Sequence, residues 1–267
     1  MSSLFCVVEG VGFWAPGLPS WQAARDYVGG GALAADAPRK PSPELLPPNE
    51  RRRASESVSI ALQVAADACR HAGRDPATLP SVFASTHGDM AITDYICATL
   101  AGEPRAMSPT RFHNSVHNAA AGYWTIGNGC RLATTAISAL DASFAQGLLE
   151  ALAQLHDGAE AILLAAYDTA ASGPLGTVTR SEGVLGGALV LSRRDPDRPD
   201  ARAIATLRAT LVDGEPPAAP AGALARLGAG NAMAPMLPLF DALAGGDDVV
   251  PLKAGPGRVL RVEIAHG

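Results

Sequence analysis

Thr134-Thr135-Ala136-Ile137-Ser138-Ala139-Leu140-Asp141-Ala142-Ser143-Phe144 is the stretch on which the fold turns. A short β run, Thr134–Ser138, passes at once into a helix over Ala142–His156, whose apolar face is Ala145, Leu148, Leu149, Leu152 and Leu155. A strand feeding a helix through a sharp turn exposes the turn residue and aims helix N–H groups at it. The residue at the turn is Asp141. Its carboxylate is expected to cap N–H groups two or three residues on. It is a poor acyl acceptor, because the product would be a mixed anhydride.

On either side of this stretch, strand and helix patterns alternate. Leu4–Glu9 reads as a buried strand broken by Gly10 and Gly12, with a short helix at Ser20–Tyr27 and a proline-rich loop over 32–49. After Arg51-Arg52-Arg53 comes a helix marked by Val58, Ala61, Leu62, Ala65, Ala68, Cys69 and Ala72, stopped by Gly73. Ser81–Ser85 reads as a strand, Ala91–Ala101 as a helix, Glu103–Asn118 as an irregular loop and Ala119–Ile126 as a further helix. Ala161–Tyr167 and Val184–Ser192 are apolar enough for central strands, and Ala203–Val212 fits an outer one. The pattern predicts an α/β fold with one mixed five-stranded sheet covered by helices. The expected domain spans 1–212. Residues 213–267 would supply a linker (213–222), a short helix (Pro235–Leu243) and a closing strand (Val259–Ile264) packed on the same domain.

Composition limits the classes of function. The 267 residues are 48% hydrophobic and 18% charged, enough for a full core and too apolar for a disordered chain. A net charge of −5 argues against a nucleic-acid surface. Cys6, Cys69, Cys97 and Cys130 show neither metal-ligand nor disulfide spacing, which fits a reducing compartment. The start, Met1-Ser2-Ser3-Leu4, carries no signal-peptide pattern. Phe112–Cys130, the longest stretch without charged side chains, holds too many polar groups to sit in lipid. The expectation is a cytoplasmic protein with no membrane insertion.

Three small motifs invite chemistry. Gly10-Val11-Gly12-Phe13-Trp14-Ala15 matches a relaxed dinucleotide pattern, but Pro16, Gly17 and Pro19 prevent the helix that a pyrophosphate needs, so a tight turn is the better reading. His113 and His117 are four apart without the metalloprotease glutamate or a third ligand. With Asn114 and Asn118 they are expected to satisfy loop backbone, and no metal or other cofactor is expected. Cys130, between Gly129 and Arg131, reads as a structural thiol.

Several segments together resemble the N-terminal half of the β-ketoacyl synthases, of the thiolase-like superfamily. Val7–Gly17 is similar to the synthase opening, and Leu46–Arg53 with the helix after it to the segment before the second strand. Phe112–Tyr123 is similar to the motif ahead of the nucleophile strand, and Glu182–Leu191 to the strand closing the first half. The resemblance runs over about residues 4–195. It implies a thiolase-like half, and it aligns Asp141 with the synthase nucleophile, a cysteine in a motif ending Ile-Ser-x-x-Cys-Ala. The family's two catalytic histidines lie in its second half, whereas here only His266 follows His156. The resemblance therefore implies no catalytic residue in this chain.

Asp-Ala-Ser-Phe after an Ile-Ser strand resembles in particular the small chain length factors of aryl polyene and type II polyketide systems. These are synthase-like subunits that pair with an active synthase and bound the growing chain. The resemblance implies as partners a full-length β-ketoacyl synthase and, through the complex, an acyl carrier protein, in polyene, polyketide or fatty-acid-like elongation. It places the interface at Ala133, Thr134, Thr135, Ala136, Ile137 and Ser138, and Phe112, Tyr123 and Trp124 on the border of an acyl tunnel. A homodimer through the same strand is the fallback for the chain alone. The competing readings are a stand-alone acyltransferase using Ser138, Ser143 or Cys130, and an acyl-binding homodimer.

Overall fold

The first strand is longer than its glycines suggest. In the computed structural model, which describes residues 3–193, 203–216 and 221–267, β1 spans Ser3–Trp14 and continues through Gly10 and Gly12, with a register shift against the strand Leu185–Ser192 between Val8 and Gly10. After it come α1 (Trp21–Val28), α2 (Pro48–Arg51) and α3 (Glu56–Ala72). α3 begins where Ser55 Oγ accepts the Val58 N–H and ends at Gly73, whose φ of 62° only glycine adopts freely. The strand glycines are where α3 crosses β1. A Cβ on Gly12 would lie 2.0 Å from the Val64 carbonyl oxygen, and one on Gly10 2.3 Å from that of Ala68. Gly10-x-Gly12 is thus neither a strand-ending turn nor a nucleotide loop but a helix–strand contact.

The chain continues through β2 (Ser81–Ala84), α4 (Met90–Gly102), α5 (Pro109–His113), α6 (Ala119–Asn128), β3 (Thr134–Ile137) and α7 (Ser143–His156). α5 lies inside the segment expected to be irregular. Pro109 opens it because the first helical position needs no N–H, and Ser108 caps it. Then follow β4 (Ala161–Asp168), β5 (Leu185–Ser192), β6 (Ala205–Asp213), α8 (Ala223–Leu227), α9 (Leu237–Gly245), β7 (Val249–Gly255) and β8 (Arg258–His266). Of the linker expected at 213–222, residues 217–220 lie outside the described residues, and Asp213 closes β6.

Among the described residues the sheet has eight strands in the order β3-β2-β4-β5-β1-β6-β8-β7, not the five expected. β2 runs parallel to β3 and β4, and the remaining neighbours are antiparallel. The β7–β8 hairpin extends the sheet where a single closing strand was expected. β7 alternates as a strand should, with Val250, Leu252 and Ala254 buried, but Pro251 hides it from a sequence reading. β6, expected at the outside, is internal, between β1 and β8.

Each face of the sheet carries a core. On one face Phe240 of α9 packs its ring against Phe13, Trp21 and Phe144 at 5.6, 6.1 and 6.2 Å. Leu148, Leu152 and Leu155 of α7 belong to the same cluster. On the other face α3 and α6 cover the sheet with Ile60, Leu62, Val64 and Trp124. Glu9 and Arg74 join β1 to the end of α3 through paired 2.7 Å hydrogen bonds. Asp241 of α9 anchors α8, its two oxygens accepting the Leu224 and Ala225 N–H groups at 2.8 Å. Burial raises the pKa of Asp241 above the ordinary 3.8, against the pull of these bonds.

Candidate functional site: the elbow after β3

The parallel strands β2, β3 and β4 point their C-terminal ends at one place, where backbone polar groups need partners. Asp168, closing β4 and fully buried, supplies them. Its carboxylate accepts the Ser85 hydroxyl at 2.7 Å and the Thr86 and His87 N–H groups at 2.9 and 3.2 Å. Burial raises its pKa, and these donors oppose the rise. Ser85 Oγ in turn accepts the Gly88 N–H at 2.8 Å, and His117 Nε2 donates to the Ser85 carbonyl at 2.9 Å. The loop Ser85–Gly88 is therefore fixed, and it holds the elbow. Ser138 Oγ donates to the Thr86 carbonyl at 3.0 Å, and Thr86 Oγ1 donates to the Leu140 carbonyl at 3.2 Å.

The elbow itself is a 3₁₀ turn, Leu140–Ala142, leading into α7. Asp141 does not cap the helix. α7 has no side-chain cap, and Ser143 ties the turn instead, accepting the Ala139 N–H at 2.9 Å and donating to the Leu140 carbonyl at 2.6 Å. Asp141 turns outward and pairs with Lys253 of β7, Oδ2 to Nζ, at 2.6 Å. That hydrogen bond, with the charge of Asp141, raises the Lys253 pKa. A cavity of about 540 Å³ opens beside the pair, lined by Asn231, Pro235, Pro238 and Val250 among others.

The strand leading to the elbow is one edge of the sheet. Its residues 133, 134 and 138 are exposed and 135–137 half-buried. The carbonyls of Ala133 and Ile137 accept the Ser81 and Ser85 N–H groups. Since successive strand residues turn their backbone groups to opposite sides, Thr134, Ala136 and Ser138 present theirs to the open edge. The far edge, β7, carries Pro251 and Lys253 and a register shift after Lys253, devices that discourage pairing. β3 carries none of these.

The remaining predicted residues fall in different places. Phe112 is 64% exposed at the end of α5. Tyr123 is half-buried, its hydroxyl donating to Asn114 Oδ1 at 3.0 Å and its ring edge-on to His113. Trp124 is 1% exposed, in the α3–α6 core against Phe83, because α6 turns that face to the sheet. His113 and His117 do not share a helix face, since α5 ends at His113. Cys130 is buried with Sγ 3.5 Å from the Leu79 carbonyl. Lys253, Asp168 and Leu140 escaped the sequence reading. Only Asp168 left a signal, a charge closing the apolar run Ala161–Tyr167.

The sequence profile described as "Beta-ketoacyl synthase, N-terminal domain" matches residues 21–208. The chain belongs to the β-ketoacyl synthase family. Among solved structures it is similar to a ketosynthase in complex with its chain length factor from Xenorhabdus doucetiae, at 21% identity and TM-score 0.71 over 98% of this chain and 97% of that one. It is also similar to the ishigamide ketosynthase/chain length factor, at 16% identity and TM-score 0.70 over 98% and 99% of the two chains. A type II polyketide acyl-carrier protein in complex with its ketosynthase bound to the hexaketide matches at 14% identity and TM-score 0.74, with both chains covered completely. No curated protein matches. These likenesses show the synthase fold, and the similarity extends over nearly the full length of the three chains compared.

Proposed function

We propose that this chain is a non-catalytic synthase-like subunit, a chain length factor, that pairs with an active β-ketoacyl synthase in polyene, polyketide or fatty-acid-like chain elongation. The observation that carries the proposal is the contrast between the sheet's two edges. β7 is guarded by Pro251 and Lys253, while β3 is bare, with Leu132, Ile126 and Leu140 exposed before and after it in the chain. An edge of that kind is a place for another chain's strand. The solved chains of similar fold and length include synthase and chain length factor complexes.

The elbow supports the non-catalytic half of the reading. A synthase needs a thiolate there, and this chain offers a carboxylate already paired with Lys253. The three other candidate nucleophiles are bonded to backbone: Ser138 to Thr86, Ser143 to Ala139 and Leu140, Cys130 to Leu79. In this reading the acyl carrier protein reaches the complex through the synthase, Phe112 and Tyr123 face the shared acyl path, and the pair works in the cytoplasm. Made alone, the chain is expected to form a homodimer through β3.

The test is co-expression with the full-length synthase encoded nearest its gene, followed by size-exclusion chromatography. A stable one-to-one complex is expected. Mass spectrometry after incubation of this chain with acyl carrier thioesters should show no covalent adduct. Failure to form the complex, or an acyl adduct on the isolated chain, contradicts the proposal.

A further inference from the structure

Leu140 is the one non-glycine residue among those described that sits at positive φ, at 53°. Leucine is strained there, because its Cβ crowds the following carbonyl, and glycine or asparagine adopts the region far more readily. The strain is held from outside the residue: its carbonyl accepts Ser143 Oγ–H at 2.6 Å and Thr86 Oγ1–H at 3.2 Å, and neither bond needs a leucine side chain. That side chain is 71% exposed. Both features cost the isolated chain stability. The backbone is strained to place the residue, and the apolar group so placed lies in water.

Strained residues persist where surroundings over-determine them and function uses the result. Here the surroundings are the Asp168-held loop and Ser143, and the result is an apolar side chain three residues beyond the end of β3. We infer that Leu140 is an interaction knob, held out by the elbow to seat in an apolar recess of the partner synthase once its strand has paired with β3. This rests on the reading of the chain as a synthase partner. It assigns the elbow a use other than chemistry: the turn that presents a nucleophile in the family presents a packing residue here. A well-packed apolar anchor at the centre of an interface carries a large share of its affinity.

Leu140→Gly and Leu140→Asn both suit the backbone and remove the apolar group, so strain relief and loss of contact move opposite readouts. For each purified variant, thermal unfolding of the chain alone and affinity for the synthase encoded nearest its gene are measured. Unfolding should stay within a degree of wild type or rise by about 2–4 °C, while affinity falls tenfold or more. Wild-type affinity in both variants overturns the inference and leaves the partner reading standing. A drop of several degrees in the chain alone, measured at a dilution where size-exclusion chromatography shows it monomeric, also overturns it, since Leu140 would then be packing its own fold. If wild-type chain does not bind the synthase at all, both fall together.

Discussion

Asp141 shows how much a single position depends on its surroundings. A carboxylate at the start of a helix is expected to cap it, yet α7 has no side-chain cap: Ser143 ties the turn before it and Asp141 reaches across to β7. The pair is exposed, its side chains 55% and 35% accessible for Asp141 and Lys253. Exposed ion pairs contribute little, so Asp141→Asn should cost at most about 1 kcal/mol in a denaturant titration. Asp241 is the opposite case, a buried carboxylate whose pKa lies above 3.8 because burial outweighs its backbone donors. The unfolded chain loses that proton first as pH rises, and the folded chain keeps it to higher pH. The contribution of Asp241 to stability is therefore full below about 3.8 and declines as pH climbs through the raised value. Thermal unfolding of Asp241→Asn beside wild type should show wild type losing ground to the variant from pH 4 to pH 8. The reverse trend would mean that the donors dominate.

At the scale of elements, the packing of α3 on β1 tests the reading of the two glycines. With the Val64 carbonyl oxygen 2.0 Å from where a Cβ would stand, Gly12→Ala must push helix from strand. The expected cost is about 1–3 kcal/mol, the usual range for overpacking, read as a lowered unfolding midpoint. Trp124→Ala should cost about 3–5 kcal/mol, as a core residue does. The sequence disclosed elements whose pattern is local. α3 and α7 stood out because Val58, Ala61, Leu62 and Ala65, and Leu148, Leu152 and Leu155, recur at helical spacing. It misled where tertiary contact reassigns a residue's meaning. Gly10 and Gly12 read as a turn because nothing local says that α3 lies over them. Pro251 concealed β7 because a sequence does not announce which strand will be an edge. The elbow was visible as strand, turn and helix, but the partners of Asp141 and Leu140 come from residues 112 and 54 positions away in the chain and could not be read.

At the scale of the whole molecule, the sheet is finished on one side and open on the other. From β7 inward to β4 each strand is covered or guarded, and the parallel trio ends at β3 with backbone groups turned outward. The proposed function requires that a synthase join at that edge. The most direct measurement uses Ala136→Pro. Ala136 lies between Ala133 and Ile137, whose carbonyls serve β2, and its own N–H faces the open side. Proline there removes a hydrogen bond that only a partner strand would use. Binding of the variant to the full-length synthase is measured by calorimetry, with circular dichroism confirming the fold. Pairing through β3 requires a folded variant whose affinity for the synthase is reduced at least a hundredfold. A folded variant that binds like wild type would contradict it.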